Sequence, residues 1–261
     1  MSDQDSEAYA QKKAFFERVL TVYGRKPALE ALRDPSLQCH ALHLANSNRG
    51  GGIIKELQAA AEQRGIPIYE HNREALSRIS KNGKQDQGVA LDILCPGFRS
   101  LQSYVGELPT RKHQRVLALD GITNPQNLGM ILRSATAGNI DAVLWSRKGN
   151  AALGPLVIKA SAGTLYRAPL VLCESQAQAL GTLAENGFEI CSLEADAPRT
   201  LFDHRPKGHA AYVLGNETDG VSNEVSAMAD TLLSIPMNNG VESLNVAITA
   251  SLIAYAGNIS G

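Results

Sequence analysis

Apolar runs and amphipathic stretches alternate along the chain, in two blocks. Residues 5–34 read as helical. Phe15, Phe16, Val19 and Leu20 fall close to one face, and Gly24 interrupts before a second helix carrying Ala28, Leu29 and Leu32. Residues 41–44 suggest a strand, Gly50 to Gly52 a loop, and residues 53–64 an amphipathic helix that stops at Gly65. A strand at 66–69, a short helix at 73–79 and a strand at 89–94 complete a small α/β unit of about 80 residues. From Pro96 to His113 glycine, proline and charge dominate, as in a linker. The second block opens with an apolar strand at 116–119. Helices follow at 126–138, 155–162, 176–185 and 243–256, with strands at 142–145, 170–173, 188–192, 212–214 and 232–235. Such alternation predicts a mostly parallel sheet with helices on both faces, whose ligands bind beyond the carboxyl ends of the strands.

Composition narrows the class. The 261 residues are 44% hydrophobic and 20% charged, values of a globular chain that allow one large domain or two smaller ones. No apolar run approaches the roughly 18 residues of a membrane span, and the polar, acidic start MSDQDSEAYAQKK predicts no secretory signal. Cys39, Cys95, Cys173 and Cys191 form no C-x-x-C pair, so reduced thiols in a cytoplasmic protein are expected. The six histidines are dispersed and point to no metal. No G-x-S-x-G elbow, G-x-G-x-x-G turn or Walker A loop is present. The net charge of −1, taken alone, leans against a nucleic-acid partner.

Three polar segments sit at predicted strand ends. Asn124-Pro125-Gln126-Asn127-Leu128-Gly129 leads to Arg133, the one charged residue of an otherwise apolar helix. Asn124 before Pro125 suits a helix cap with proline in the first turn, and a capped helix with a solvated arginine is the plainer reading. Gly215 to Gly220 follows an apolar strand. Its glycines permit a tight turn or close approach to a ligand, Glu217 offers an acceptor, and an acidic turn before a helix capped by Ser222 is the alternative. The third runs from Ile235 through Met237 and Gly240 to Ser243, Leu244 and Asn245, where Ser243 is the expected cap of the last helix.

Together the three segments resemble the motifs of the SpoU (TrmH-like) family of RNA 2′-O-ribose methyltransferases, in the SPOUT class. The patterns N-P-x-N-x-G-x-x-x-R, L-G-x-E-x-x-G and I-P-M-x-G-x-x-x-S-L-N-V-A are similar to residues 124–133, 214–220 and 235–247. The last differs in that Asn238 and Asn239 precede Gly240. The resemblance implies an α/β fold with a trefoil-knotted, mostly parallel sheet, preceded by a small domain like ribosomal protein L30e. It implies a helical extension over residues 1–17, a substrate-binding domain over 18–97, a linker over 98–113 and the catalytic domain over 114–261. It further implies S-adenosylmethionine as cofactor, ribosomal or transfer RNA as substrate with ribosomal RNA favoured, and a homodimer with sites near the interface. Carried over by motif, Arg133 is the group that activates the ribose hydroxyl, framed by Asn127, Glu217, Ser243 and Asn245. Gly215, Ile235, Met237 and Leu244 hold the cofactor, largely through backbone. An arginine, with a pKa above about 12, acts either as an unusual base or by orienting the ribose and a phosphate.

Two other activities fit the same fold: a non-catalytic RNA-binding protein, and methylation of a base. Arg25, Lys26 and Arg49, near the Gly50–Gly52 loop, are either phosphate contacts or solvated surface. The charge also divides. Residues 1–113 hold 16 Lys+Arg and 13 Asp+Glu, a balance of +3, whereas residues 114–261 hold 9 and 13, a balance of −4. The overall value averages two unlike halves and does not exclude RNA.

Overall fold

The computed structural model describes residues 12, 14–110 and 112–256. Most of the expected N-terminal extension therefore lies outside the described residues, although residues 14–17 are helical. The chain divides into two compact units, Met1–Pro96 and Gly97–Gly261.

In the first unit β1 (Val19–Tyr23) leads to α1 (Arg25–Arg33), β2 (Gln38–Ala45), α2 (Ile53–Gln63), β3 (Ile68–His71), α3 (Arg73–Ser80) and β4 (Val89–Leu94). The expected helix over 5–34 is thus broken by a strand. Val19, Thr21 and Val22 are β-branched, Leu20 and Val22 are buried on one face, and the segment pairs antiparallel with β4. The sheet order is β1-β4-β2-β3, mixed in direction.

The second unit contains β5 (Arg99–Ser100), α4 (Leu101–Gly106), β6 (Arg115–Leu119), α5 (Pro125–Ala137), β7 (Ala142–Ser146), α6 (Pro155–Ala160) and β8 (Leu170–Cys173). Next come α7 (Gln176–Glu185), β9 (Phe188–Leu193), β10 (Arg199–Thr200), β11 (His209–Leu214), α8 (Asn223–Ser226), β12 (Thr231–Ser234) and α9 (Val246–Ala256). Eight strands, in the order β10-β12-β9-β11-β6-β7-β8-β5, pair in parallel throughout. The central strands are almost wholly buried, as expected where helices cover both faces. On one face Tyr104 of α4 and Ala179, Leu180 and Leu183 of α7 pack with Val116, Ala118, Leu144, Ile190, Ala211 and Val213. From the other face Arg115 reaches α9, its Nη2 donating to the Ile253 carbonyl at 2.7 Å.

The segment over 98–113 departs from the expected linker. Its first half supplies β5, which adds to the sheet edge beside β8, and α4, whose Tyr104 is buried in the core. The cause is a compact apolar set, Leu101, Tyr104 and Val105, which meets one helix face and is easily overlooked between Gly97 and Pro109.

Helix α5 is held against α6 and α9 at close range. A Cβ at Gly129 would lie 2.5 Å from Ala160 Cβ and 2.8 Å from the Val157 carbonyl oxygen. Glycine to alanine inside a helix ordinarily gains about 1 kcal/mol. Here overpacking of about 1–3 kcal/mol opposes it. Gly129→Ala is therefore expected to lower the Tm in thermal denaturation, and a raised Tm would show that α5 and α6 separate freely.

Candidate functional site

Parallel pairing places β11 beside β6, with β9 between β11 and β12. The segments that leave β6, β11 and β12 therefore all emerge at the same, carboxyl edge of the sheet.

The first segment is braced before it turns. Asn150 Nδ2 donates to the Leu119 carbonyl at 2.9 Å and its Oδ1 accepts from Ile122 N at 2.7 Å. Asn124 Oδ1 accepts from Gln126 N at 2.9 Å, capping α5 as expected with Pro125 at its start. This places Asn127 in the first turn, buried at 5% exposure. The second segment folds back on itself: Asn216 N donates to the Gly220 carbonyl at 2.8 Å and Gly220 N returns a bond at 2.9 Å. A Cβ on Gly215 would overlap the backbone of Gly220 and Val221, so only glycine fits there. The turn is pinned to the first segment through Asn216 Nδ2 to the Gly121 carbonyl and Ser222 N to Asp120 Oδ2, both 2.8 Å. Asn216, Asp120 and Asn150 are supports that no motif singled out, although Asn216 and Asp120 lie within or beside the strand-end segments.

In the third segment Asn239 and Gly240 both adopt left-handed backbone, φ 57° and 72°. Asparagine tolerates that region better than most residues, so the sequence departure at this turn leaves its backbone accessible. Helix α9 starts at Val246, and its cap is Asn245, whose Oδ1 accepts from Ala247 N at 2.9 Å. The expected cap, Ser243, lies two residues before that position. It is exposed and makes no hydrogen bond among the described residues.

Three of the five residues expected to carry the chemistry come together. Asn127 Nδ2 donates to Glu217 Oε1, and Asn245 Nδ2 donates to Asn127 Oδ1 at 3.2 Å and to the same Glu217 oxygen at 3.4 Å. One residue from each segment thus closes a triangle, which leaves Glu217 Oε2 without a bond from the described residues. Ser243 lies outside it. Arg133 does too: it is exposed, six residues beyond Asn127 on α5, with no hydrogen bond or ion pair among the described residues. Its fork of donors is uncommitted, which suits a phosphate or a polarised oxygen.

A cavity of about 150 Å³ opens beside the third segment. Ile235, Met237 and Leu244 line it, together with Leu193, Leu233 and the carboxylate-bearing Glu194. Gly215, the fourth residue expected at a cofactor, is not part of that lining. Glu194 accepts from Ser226 Oγ at 2.9 Å. No spacing in the chain marked it, because it follows β9, which the sheet order sets beside β12. In the first unit, Arg25 is tied down rather than free, with Nε donating to the Gln87 carbonyl and Nη2 to Asn48 Oδ1, each at 3.1 Å.

Comparison with known proteins bears on this arrangement. The model of the SpoU rRNA methylase family matches residues 114–255, and one described as RNA 2′-O ribose methyltransferase substrate binding matches residues 21–94. A Mycolicibacterium vanbaalenii protein named an uncharacterized tRNA/rRNA methyltransferase is 32% identical over 233 residues, 89% of this chain and 74% of the relative. A TrmH-family RNA methyltransferase structure from Porphyromonas gingivalis aligns with a TM-score of 0.59 at 27% identity, covering 92% of this chain and 89% of that one. The SpoU methyltransferase AviRb of Streptomyces viridochromogenes, solved with AdoMet, shares the fold with a TM-score of 0.62 at 19% identity, over 94% and 92% of the chains.

The triangle has a pH signature. Asn127→Asp would set a second carboxylate against Glu217, and their repulsion would disfavour the folded state in which both are charged. An acid whose folded pKa is raised destabilises above its unfolded pKa and is neutral in effect below it. The variant is expected to lose on the order of 1–2 kcal/mol near neutral pH, with the Tm deficit shrinking as pH falls towards about 4. A deficit independent of pH would show that Asn127 and Glu217 do not interact.

Proposed function

The chain belongs to the SpoU family of RNA methyltransferases, and on that premise we propose that it transfers a methyl group from S-adenosylmethionine to a ribose 2′-hydroxyl of ribosomal RNA. The observation that carries the proposal is the triangle of Asn127, Glu217 and Asn245, built from all three strand-end segments next to a partly apolar cavity. The match of residues 21–94 to a 2′-O ribose methyltransferase substrate-binding model supports ribose over base as the target.

The residues fit such a cofactor. Leucine, isoleucine and methionine side chains offer an apolar wall, and Glu194 and Glu242 offer carboxylates to hydroxyls or to a cation. When bound, S-adenosylmethionine supplies an electrophilic methyl on sulfur, already a good leaving group. The protein's task is then to position the reactants in line and to ease the loss of the hydroxyl proton. Asn127, Glu217 and Asn245 fix the geometry at the start of α5 and α9. Ser243 and Arg133 complete the site when RNA is present. Arg133 orients the ribose and a neighbouring phosphate and stabilises developing negative charge on the 2′-oxygen, since its high pKa makes it a poor base.

The same proposal includes the trefoil knot in the second unit, substrate binding by residues 18–97, a cytoplasmic location and a homodimer. Met130 of α5, Leu156 of α6 and Ile248 and Tyr255 of α9 are all exposed, on helices packed against one another, which is an apolar face suited to a second copy. Among the described residues, no helix is long and apolar enough to cross a membrane.

Arg133→Ala is expected to reduce methyl transfer to ribosomal RNA by roughly 100-fold or more. Binding of S-adenosylmethionine, measured by calorimetry, should stay near the wild-type value. Near-normal turnover in that variant would remove Arg133 from the chemistry.

A further inference from the structure

A second cluster of reactive side chains lies on β9. Glu189 and Cys191 are two residues apart on that strand and so share a face. Phe188 and Ile190 point the other way, into the core beneath α7. Parallel pairing sets Cys191 opposite Tyr212 of β11 on one side and Thr231 of β12 on the other. Over this face the chain returning from β10 lays His204. Its Nε2 is 3.5 Å from Cys191 Sγ and 3.5 Å from Glu189 Oε2. Thr231 Oγ1 donates to the other Glu189 oxygen at 2.7 Å, which turns Oε2 towards the imidazole.

We propose that Glu189, Cys191 and His204 form a structural site for a divalent, zinc-like cation. The three donor atoms all lie within 4.8 Å of one another. Around a tetrahedral zinc, with Zn–S of about 2.3 Å and Zn–N and Zn–O of about 2.0–2.2 Å, donors stand roughly 3.3–3.6 Å apart. Both separations measured from His204 fall in that range. Thiolate, imidazole and carboxylate together suit a borderline-soft ion such as zinc or cobalt(II). Cys191 is fully buried and His204 is 5% exposed, whereas the Glu189 side chain is 28% exposed, so a fourth, solvent ligand would enter beside Glu189.

The cluster is poorly satisfied without a cation. The contacts of His204 Nε2 are long, a 3.5 Å approach to sulfur and a 3.5 Å approach to a carboxylate, and a cation held there would replace both; the buried Nδ1, which has no hydrogen-bond partner, is not a ligand in this arrangement. Burial drives the His204 imidazole below its ordinary pKa, so it is neutral and has a lone pair to give. Burial drives the Cys191 thiol upward, so it is protonated until a metal binds. Binding forms the metal–sulfur bond and releases the thiol proton to solvent. Arg199 and Arg205 are close enough to influence His204, and they offset the negative charge of a thiolate and carboxylate pair. The site would tie the return between β10 and β11 to β9. Glu189 and Cys191 lie on β9, which ends one residue before Glu194, the cavity residue, and the cluster has no part in methyl transfer as proposed.

Titrating the metal-stripped full-length protein with cobalt(II) tests this. The expected result is one equivalent bound with a near-ultraviolet sulfur-to-cobalt charge-transfer band, displaced by zinc, and a higher Tm with zinc present. Cys191→Ser should lose the band and leave methyl transfer unchanged. Glu189→Gln, at a part-exposed side chain that leaves the core intact, should keep the band and weaken binding about 10-fold or more. Absence of the band in the wild-type protein overturns the proposal, whether or not the variants fold. Persistence of the band in Cys191→Ser overturns it as well, because another cysteine would then be the ligand.

Discussion

The parallel register of β11 against β6 is the constraint on which the rest of the second unit depends. Tyr212 lies opposite Leu117 and Leu214 opposite Leu119, so the two strands end together, and the Asp120 amide then bonds the Leu214 carbonyl at 2.8 Å. That common end brings the Asn216 amide to Gly121 and the Asp120 carboxylate to Ser222. A register slip of one residue would turn every buried side chain of β11 to the opposite face. It would also separate Asn127 from Glu217, residues 90 positions apart in the chain. The site is therefore a consequence of sheet pairing, because its three polar groups sit on the turn and helix starts that follow β6, β11 and β12.

From this frame follows a division of labour. Mutually bonded groups, the buried Asn127 with the exposed Glu217 and Asn245, set distances, while Arg133 and Ser243 are exposed and make no hydrogen bond among the described residues. Such a partition suits a methyl transfer from a sulfonium, where positioning matters more than acid or base strength. It also explains the low charge of the motif segments. Backbone close to Gly215 and apolar side chains around Ile235 and Leu244 can recognise a ligand without a cluster of ions, so the negative balance of residues 114–261 does not oppose an RNA-modifying activity.

Much of this arrangement was legible in the chain, and the gaps have definite causes. The apolar strands at 116–119 and 142–145 and the helix capped by Asn124 announce themselves through burial on both faces and local capping chemistry. Local pattern misleads where tertiary pairing decides. Val19–Tyr23 continues a helical periodicity until β4 claims it as an edge partner, and Leu101–Val105 looks like part of a linker until β8 and the core accept it. The cap of α9 passes from Ser243 to Asn245 because the third segment stays extended two residues longer than its polarity suggests. Asn127, Glu217 and Asn245 were readable as a set only through motif resemblance, since nothing in spacing alone brings them together. Glu194 and the Glu189, Cys191 and His204 cluster were not readable at all. Their partners arrive from separate strands and a loop, and the order of strands in the sheet is not written in any one segment.

In the activity proposed, a ribose hydroxyl is the methyl acceptor. Ribosomal RNA lacking the modification, incubated with the protein and S-adenosylmethionine labelled in its methyl group, can be digested to nucleosides and resolved by mass spectrometry. The label is expected in a 2′-O-methylnucleoside at a single position. Label on a base, or no transfer to ribosomal RNA with the site intact, would contradict it.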